Sequence, residues 1–391
     1  MSLMNRIRVA LGRETRAAGN DPSWNALTGG GFSASGAHVD GRTAESISAV
    51  FGCVQALSES TACLPLHVFR RNDDGSRERA DDYWLSRVLE RPNDWQTGME
   101  FRESQTASIL LWGNAYARIE RNGSGEVTAL HPMHPNRTSI VRLDNGRYRY
   151  DYADEGGKVS RLLPDEVLHL RDRTDPGSIV GKSRIAIARD TLGLSITLRQ
   201  HGARYFGRGA RPASVMTNEN TQALTAEQRT EIKEQLDRFA SPENAGKTMV
   251  LPPGFKYETV GMSNEDSEWL AAQQFGVTEV CRMYRVPPIL VQTLEQASYN
   301  NVAALGDHFV KYSLVRWINL WEASISAQLL GPISRQRYYA EHNVDALLRG
   351  NAKERSEVYA NALNNAPWMT TDEVRRLENM PPQSPVEITG N

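Results

Sequence analysis

The fold is decided by the stretch Val286-Pro-Pro-Ile-Leu-Val-Gln-Thr-Leu-Glu-Gln-Ala-Ser-Tyr-Asn-Asn301, in which one helical pattern ends and another begins. Two consecutive prolines stop the first helix, because proline lacks a backbone N–H and clashes with the preceding turn. The run from Gln292 to Asn301 that follows is small, polar and almost uncharged. Two packed helices can hold such a loop at a fixed place without burying it.

The helix predicted after this loop has one apolar face. Its apolar residues lie mostly three, four or seven positions apart, which is the spacing of a single helical face. They are Val302, Leu305, Phe309, Tyr312, Ile318, Trp321, Ile325 and Leu329. The sequence therefore predicts a flexible polar loop held between two long helices, with no catalytic residue in it.

Length and charge limit the possible classes of protein. The 391 residues exceed one average domain, and 40% hydrophobic residues allow a normal core. Lysine and arginine number 45 against 47 aspartate and glutamate, and the two signs are interleaved. Because tight DNA binding concentrates positive charge in a patch, we expect any nucleic acid to be contacted weakly.

No apolar run approaches the roughly 20 residues of a membrane span. Three cysteines without metal-like spacing favour a reducing cytoplasm.

Glycine, proline and capping residues divide the first half of the chain. Residues 17–42 are rich in Gly, Ser, Ala and Asn, which predicts a flexible arm. Helices are expected from Ala44 to Cys63 and, after the capping box Thr97-x-x-Glu100, up to Gly113. Between Ala115 and Leu170 the short strands and turns predict an antiparallel meander or a small barrel.

A small α/β module separates two long helices. We expect helices at about 182–206 and 263–286. The first carries small residues at Gly193 and Gly202, where close packing or a bend offsets the cost of glycine. The module between them, residues 213–262, combines strands with a helix capped by Thr225-x-x-Gln228. Chain connectivity places such an insert at the shared tip of the two helices.

One stretch, Pro176-Gly-Ser-Ile-Val-Gly-Lys-Ser183, is similar to a phosphate-binding P-loop. That motif needs a glycine, four residues and then Gly-Lys-Ser/Thr, so that backbone N–H groups wrap the phosphates. Here Pro176 stands at the first glycine position and removes a donor N–H. No apolar strand ending in an acidic residue follows to hold Mg²⁺. The stretch is therefore interpreted as a glycine turn before a helix N-terminus; loss of nucleotide binding in Lys182→Ala would instead indicate a degenerate nucleotidase.

Other candidate sites also have ordinary structural interpretations. The stretch His131-Pro-Met-His-Pro135 lacks further ligands to complete a metal shell and is interpreted as a turn between strands. No Gly-x-Ser-x-Gly elbow is present. We therefore expect no enzyme, catalytic residue, cofactor or metal.

Two groups of side chains have both a structural and a binding interpretation. Trp269, Trp317 and Trp321 lie at helical positions, and core or interface packing is preferred over base stacking. The cluster Arg204, Arg208 and Arg211 follows a helix end, where it would meet a phosphate or an acidic partner, or remain solvated.

Several further motifs occur in a specific order along residues 43–380. They are Leu64-Pro-Leu-His-Val-Phe69, Phe101-Arg-Glu103, Leu111-Trp-Gly-Asn-Ala-Tyr-Ala117, His131-Pro-Met-His-Pro-Asn-Arg137, Asp165-Glu-Val-Leu-His-Leu170, Gly181-Lys-Ser183, Tyr205-Phe-Gly-Arg-Gly-Ala-Arg-Pro212, Val250-Leu-Pro-Pro-Gly-Phe255 and Val286-Pro-Pro288. Each motif alone is weak, but the order is specific. In this the chain resembles the portal proteins of tailed bacteriophages, in particular the HK97-type portal family.

The resemblance implies an α+β portal fold. In the terms of that family, the chain divides into a flexible N-terminal arm (1–42), a mixed α/β wing (43–181), a first stem helix (182–212), a small α/β clip (213–262), a second stem helix (263–286), a tunnel loop (287–301), a long wing helix (302–330), a C-terminal wing with a short helical crown (331–380) and a disordered tail (381–391). The stem–clip junction would carry Arg204, Arg208 and Arg211.

The resemblance also implies a function. Portal proteins form a ring, usually of twelve copies, at one capsid vertex, through which double-stranded DNA is packaged and ejected without sequence specificity. The implied partners are other copies of the chain, the DNA, the major capsid protein, the terminase motor and the head–tail adaptor, with no membrane. The chain would be assembled in the bacterial cytoplasm and located in the virion of a phage, prophage or gene transfer agent. Another head–tail connector ring is the alternative.

The polar loop is the expected contact with DNA. A strongly basic lining would trap a duplex through counterion release, whereas a near-neutral lining makes only transient contacts. We hypothesise that the loop lines the narrowest point of the channel and that Glu295 repels phosphate. The expected lining residues are Gln292, Thr293, Glu295, Gln296, Ser298, Tyr299 and Asn300.

Overall fold

Helices and short antiparallel strands alternate along the computed structural model. It describes residues 30–143, 145–207, 214–218, 225–239, 255–259, 265–291, 306, 308–344, 352–364, 367–378 and 380–381. Two units are distinguished, residues 1–342 and residues 343–391. Within these described ranges no helix is long and apolar enough to cross a bilayer.

The first unit mixes helices and strands throughout. Its strands are β1 Gly31–Phe32, β2 His38–Val39, β3 Leu66–Arg71, β4 Arg77–Arg79, β5 Asn114–Arg121, β6 Val127–Met133, β7 Thr138–Arg142, β8 Tyr148–Ala153, β9 Val159–Leu162, β10 Val167–Arg171, β11 Ser214–Asn218, β12 Phe255–Thr259 and β13 Tyr338–His342. Its α-helices are α1 Gly41–Glu45, α2 Ser48–Cys63, α3 Trp84–Glu90, α4 Gly98–Trp112, α5 Arg184–Ile187, α6 Arg189–Gly207, α7 Ala226–Phe239, α8 Glu265–Tyr284, α9 Val315–Gln328 and α10 Ser334–Arg337. This mixture confirms the predicted α+β class.

The region predicted as a meander or small barrel forms two three-stranded antiparallel sheets. Their strand orders are β10-β5-β6, which we call the central sheet, and β7-β8-β9. A cluster of buried side chains belongs to the two sheets and consists of Tyr116, Met133, Tyr150, Leu162 and Val167. The turn predicted at His131–Pro135 is wrong in its first half, because strand β6 continues to Met133 and a 3-10 turn covers only Pro135–Arg137.

The central helices follow their predicted end signals. Before α4, the Thr97 hydroxyl accepts from the Glu100 N–H at 3.2 Å, and the Glu100 carboxylate accepts from the Thr97 N–H at 2.7 Å. The helix ends at Gly113, whose φ of 74° is left-handed. Helix α2 packs along α4, and the buried Arg102 donates to the Ala62 carbonyl at 2.7 Å. These contacts confirm the predicted capping box and helix end.

Residues 30–42, expected in the flexible arm, form a hairpin and the start of α1. The hairpin pairs β1 with β2 and packs on helix α6. The Ala34 N–H donates to Asp190 on α6 at 2.8 Å. A Cβ added at Gly193 would lie 2.1 Å from the Ser33 hydroxyl oxygen. Close packing therefore explains Gly193, as the sequence predicted. The same packing orders the hairpin, although the composition of residues 17–42 is that of a flexible arm.

The long helices differ in detail from the prediction. The helix expected over 182–206 begins after Ser183 and is interrupted between α5 and α6 at Ala188. Helix α8 packs against both α6 and α2. In the inserted module, β11 pairs antiparallel with β12, and α7 follows the predicted cap, with the Gln228 N–H donating to the Thr225 hydroxyl at 3.3 Å.

The second unit contains the helices α11 Ala352–Leu363 and α12 Thr371–Leu377. The start of α12 is capped, because the Glu373 N–H donates to the Thr370 hydroxyl at 3.2 Å and the Thr370 N–H donates to the Glu373 carboxylate at 2.7 Å. A short polar motif of this kind fixes where a helix begins without help from the rest of the fold.

Candidate functional site

Most of the predicted site residues lie outside the described part of the chain. This holds for the seven loop residues predicted to contact DNA, Gln292, Thr293, Glu295, Gln296, Ser298, Tyr299 and Asn300, and for Arg208 and Arg211 of the predicted stem–clip junction. Arg204 is described and is exposed on α6. The structure does describe the chain on both sides of the loop. We call residues 283–291 the first anchor and residues 308–316 the second anchor.

The first anchor turns the chain sharply out of helix α8. Arg285 has φ 59°, a left-handed conformation that is uncommon for a residue with a side chain. The Val286 N–H donates to the Cys281 carbonyl at 3.0 Å, which closes the six-residue ring of a Schellman helix end. Val286 is buried, and residues Pro288–Val291 form a 3-10 turn. The proline stop is thus confirmed, and the first residues of the predicted loop are helical.

The second anchor contains a π-helix, Val310–Leu314, that leads into α9. A π-turn inserts one extra residue and therefore rotates the residues before it by about 100° relative to an α-helix. This explains the main departure from the predicted apolar face: Tyr312 is exposed, while Val310, Ser313 and Leu314 are buried. A spacing of three, four or seven residues fits one helix type throughout and carries no signal for this change.

A buried carboxylate joins the two anchors to the end of the central sheet. Asp172 directly follows β10, and its side chain is only 4% exposed. It accepts from Arg184 Nε at 2.7 Å and from Arg316 on α9. Arg184 also donates to the Met283 carbonyl at 2.9 Å, near the end of α8. One carboxylate thus links a strand to three helices, a role that a lone acid after a strand does not reveal in the sequence.

Side-chain contacts at the anchors complete this arrangement. The Ser313 hydroxyl donates to the carbonyl of Arg285, which joins the two anchors directly. The guanidinium carbons of Arg184 and Arg316 lie 5.2 and 5.3 Å from the ring centre of the buried Trp317. Trp321 is also buried and donates to the Thr106 hydroxyl at 3.0 Å. The prediction of core packing is confirmed for these two tryptophans, and Trp269 lies outside the described side chains.

The P-loop-like stretch forms the predicted glycine turn and helix start. Gly177 has φ 76°, and Lys182 Nζ lies 2.5 Å from the Asp175 carboxylate. The Ser183 hydroxyl accepts from the Ala186 N–H at 3.2 Å and donates to the Leu111 carbonyl at 3.0 Å. Both residues that a nucleotide would require are therefore engaged within the fold.

A histidine network fixes helix α9 on the central sheet. The Asn114 amide nitrogen donates to the Gly181 carbonyl at 2.9 Å, so its oxygen accepts from His169 Nε2 at 3.0 Å. His169 Nδ1 then accepts from the Tyr150 hydroxyl at 3.0 Å. Burial, with Arg171 nearby, holds the pKa of His169 well below its usual value. The backbone of His169 also exchanges hydrogen bonds with Gln328 on α9.

No group of three or more potential metal ligands from His, Cys, Asp and Glu occurs among the described side chains. His131 pairs with Glu120 at 2.9 Å. Burial is the main cause that lowers the pKa of His134, with Arg42 and Arg137 adding to it. These are ordinary contacts at the edge of a sheet. Among the described residues, the feature that bears on function is therefore the pair of anchors.

Comparison with known proteins gives a consistent picture. The family model described as phage portal protein matches residues 48–379. The portal protein of Enterobacteria phage HK97 is 32% identical over 344 residues, covering 86% of this chain and 79% of the relative. A probable portal protein of Streptomyces phage phiC31 is 30% identical over 376 residues, covering 93% and 80%.

Solved structures match over most of the chain as well. A chain from the neck of a native gene transfer agent particle, computed with C12 symmetry, gives a TM-score of 0.63 at 23% identity, covering 98% of this chain and 100% of that one. An HK97-family portal protein from Corynebacterium diphtheriae gives a TM-score of 0.59 at 16% identity, covering 79% and 97%. The chain belongs to the phage portal protein family.

Proposed function

We propose that copies of this chain form a ring at one capsid vertex and that double-stranded DNA passes through the central hole during packaging and ejection. The observation that carries this proposal is the family match over residues 48–379. The gene transfer agent neck with C12 symmetry supports a count of twelve copies. In this proposal the ring is assembled in the bacterial cytoplasm and becomes part of the particle.

The other partners follow from that position. The ring contacts the major capsid protein around its outside, the terminase motor during packaging and the head–tail adaptor afterwards. ATP hydrolysis belongs to the motor, since the portal supplies the passage. We assign residues 43–181 to the wing, 182–212 and 263–286 to the stem, 213–262 to the clip and 302–330 to the long wing helix.

The anchors explain how a polar loop would be presented to the duplex. Arg285 and Ser313 hold the two ends of the segment together, and Asp172 ties both ends to the sheet through Arg184 and Arg316. A loop mounted on a rigid scaffold keeps its position while its own residues move. In this proposal the loop forms the narrowest ring, and the residues between the anchors touch DNA only transiently.

Imaging of the purified full-length chain by negative-stain electron microscopy tests the ring. We expect closed rings with a central hole, and class averages that give the subunit number. Twelvefold rings support the proposal in full. A shorter connector-like ring without a stem would favour another head–tail connector, and monomers at all concentrations would contradict the proposal.

The loop assignment is tested by Glu295→Lys, with Glu295→Gln as the matched control. An added cation at each copy multiplies around the ring and attracts phosphates at the narrowest point. We therefore expect Glu295→Lys to slow packaging or ejection severalfold, while the neutral control stays close to the parent chain. Packaging rate and genome length are the measurements, with ring formation checked first. Equal rates for all three chains would remove this loop from the channel wall.

A further inference from the structure

A cationic pocket of about 500 Å³ opens between the anchors and helices α5, α6 and α8. Its lining contains six cationic side chains, those of Arg173, Lys182, Arg184, Arg282, Arg285 and Arg316. Three carboxylates pair with four of them, namely Asp172 with Arg184 and Arg316, Asp175 with Lys182, and Glu279 with Arg282. An excess of three positive charges remains.

Two guanidinium groups account for most of this excess. Arg173 and Arg285 are both exposed, and no carboxylate among the described residues pairs with either one. The chain as a whole carries a net charge of −2, so the residues outside the pocket carry a net charge of −5. A second copy of the same chain therefore offers the carboxylates that this pocket lacks.

Exposed apolar side chains continue from the pocket along its helices. Ile187 and Tyr312 line the pocket itself, and each is 63% exposed. Leu194 lies three residues after the pocket residue Thr191 on α6, and Phe275 lies four residues before the pocket residue Glu279 on α8. Residues three or four apart share a helix face. The cations are thus bordered by apolar surface on several sides.

This composition indicates a protein occupant rather than nucleic acid. Surfaces that bind DNA are polar and strongly basic, whereas protein interfaces combine arginine with exposed aromatic and apolar residues. In a ring with cyclic symmetry, each contact is head-to-tail, so a basic surface on one copy meets a different surface on the next. We propose that this pocket receives a carboxylate-bearing segment of the adjacent copy and that each pocket is incomplete without it. This inference rests on the proposed ring.

Charge reversal tests the proposal in the full-length chain. The double variant Arg173→Glu/Arg285→Glu removes the two guanidinium groups that pair with no described carboxylate, without touching the Asp172 ion pairs. Because it places like charges opposite each other, we expect the concentration for half-maximal ring assembly to rise at least about tenfold. Sedimentation velocity and native mass spectrometry measure assembly, and circular dichroism checks that the monomer is folded. Arg142→Glu, an exposed arginine on β7, is the matched control.

A second measurement identifies the occupant directly. Arg285→Lys keeps the positive charge, and a carbodiimide then joins its amine to a neighbouring carboxylate through an amide bond with loss of water. Rings assembled from mixed ¹⁵N-labelled and unlabelled chains distinguish links between copies from links within one copy. We expect peptide pairs that combine both labels, and the linked carboxylate names the partner segment.

The outcomes separate the two proposals. If the parent chain forms no ring, the proposed function fails. If rings form and the double variant assembles like Arg142→Glu, or all links to position 285 lie within one copy, the pocket proposal fails while the ring stands. If rings form unchanged but the double variant loses duplex DNA binding, the occupant is nucleic acid and the pocket proposal is overturned.

Discussion

At the scale of single residues, Asp172 is the side chain on which the anchors depend. It is almost fully buried and pairs with two arginines. Removal of its charge leaves the mostly buried Arg184 without a counter-charge in a region of low dielectric, whereas water reaches Arg316. We expect Asp172→Asn to lower the free energy of unfolding by about 3–5 kcal/mol. Denaturant titration of the monomer measures this change.

A matched control separates the buried carboxylate from exposed ones. Asp81 pairs with Arg79 at 2.9 Å, with both side chains more than half exposed. Asp81→Asn should cost about 1 kcal/mol or less, because water already screens that pair. Similar losses for the two variants would show that the anchors do not depend on Asp172.

His169 makes the stability of the chain depend on pH. Above its ordinary pKa of 6.5 the side chain is neutral in both the folded and the unfolded chain. Below that pH the unfolded chain binds a proton that the buried imidazole refuses, so stability falls by up to about 1.4 kcal/mol per pH unit. We expect His169→Gln to reduce the slope between pH 6.5 and 5.

The readout is the free energy of unfolding at several pH values. Part of the slope remains in the variant, because burial also lowers the pKa of His67 and His134. A slope identical to that of the parent chain would mean that His169 accepts a proton without loss of the fold. The sequence singled out the segment around His169 only as a motif, since neither Asn114 nor Tyr150 is close to it in the chain.

At the scale of elements, the end of α4 is limited by space as well as by backbone conformation. A Cβ added at Gly113 would lie 2.5 Å from the carbonyl carbon of Lys182, whereas Gly75, with φ 83°, has no atom within 4 Å. Gly75→Ala should therefore cost about 1–2 kcal/mol for its left-handed backbone alone. Gly113→Ala should cost a further 1–3 kcal/mol or more, because the backbone of a neighbouring segment has to move.

Thermal and denaturant unfolding of the two glycine variants measure this difference. The comparison fails if both variants lose the same stability, since the contact with Lys182 would then carry no cost. Gly113 and Lys182 are far apart in the chain and meet only in the folded protein. No sequence pattern within α4 therefore predicts their contact.

Helix boundaries were predictable where short-range chemistry fixes them. The caps at Thr97, Thr225 and Thr370 each need only a residue three positions further on. The hairpin of β1 and β2 and the π-helix were missed, because the hairpin depends on packing against a helix distant in the chain and the π-helix on a change of helical period. Fold class was therefore accessible from sequence, and the ties between elements were not.

At the scale of the whole molecule, near-neutral charge sets the expected affinity for DNA. With a net charge of −2, the chain should release few counterions on meeting a duplex. We expect a dissociation constant for a random duplex weaker than about 10⁻⁶ M at physiological salt, with a shallow dependence on salt. Fluorescence anisotropy with a labelled duplex measures both quantities. Nanomolar binding with a steep salt dependence would contradict a passage that DNA traverses freely.

The hydrogen bond between Ser313 and the carbonyl of Arg285 has a consequence for how such chains can diverge. This bond joins the two ends of the intervening segment. The entropic cost of bringing those ends together is therefore offset by contacts outside the segment, and the segment's own residues need not supply them. Doubling the number of residues in a closed loop costs only about 0.6 kcal/mol. Insertions and deletions between these two points should therefore be accepted with little loss of stability, whereas a change in length on either flank would break the tie itself. In the proposed ring, the bore would therefore be tuned by the length of this segment as well as by its side chains.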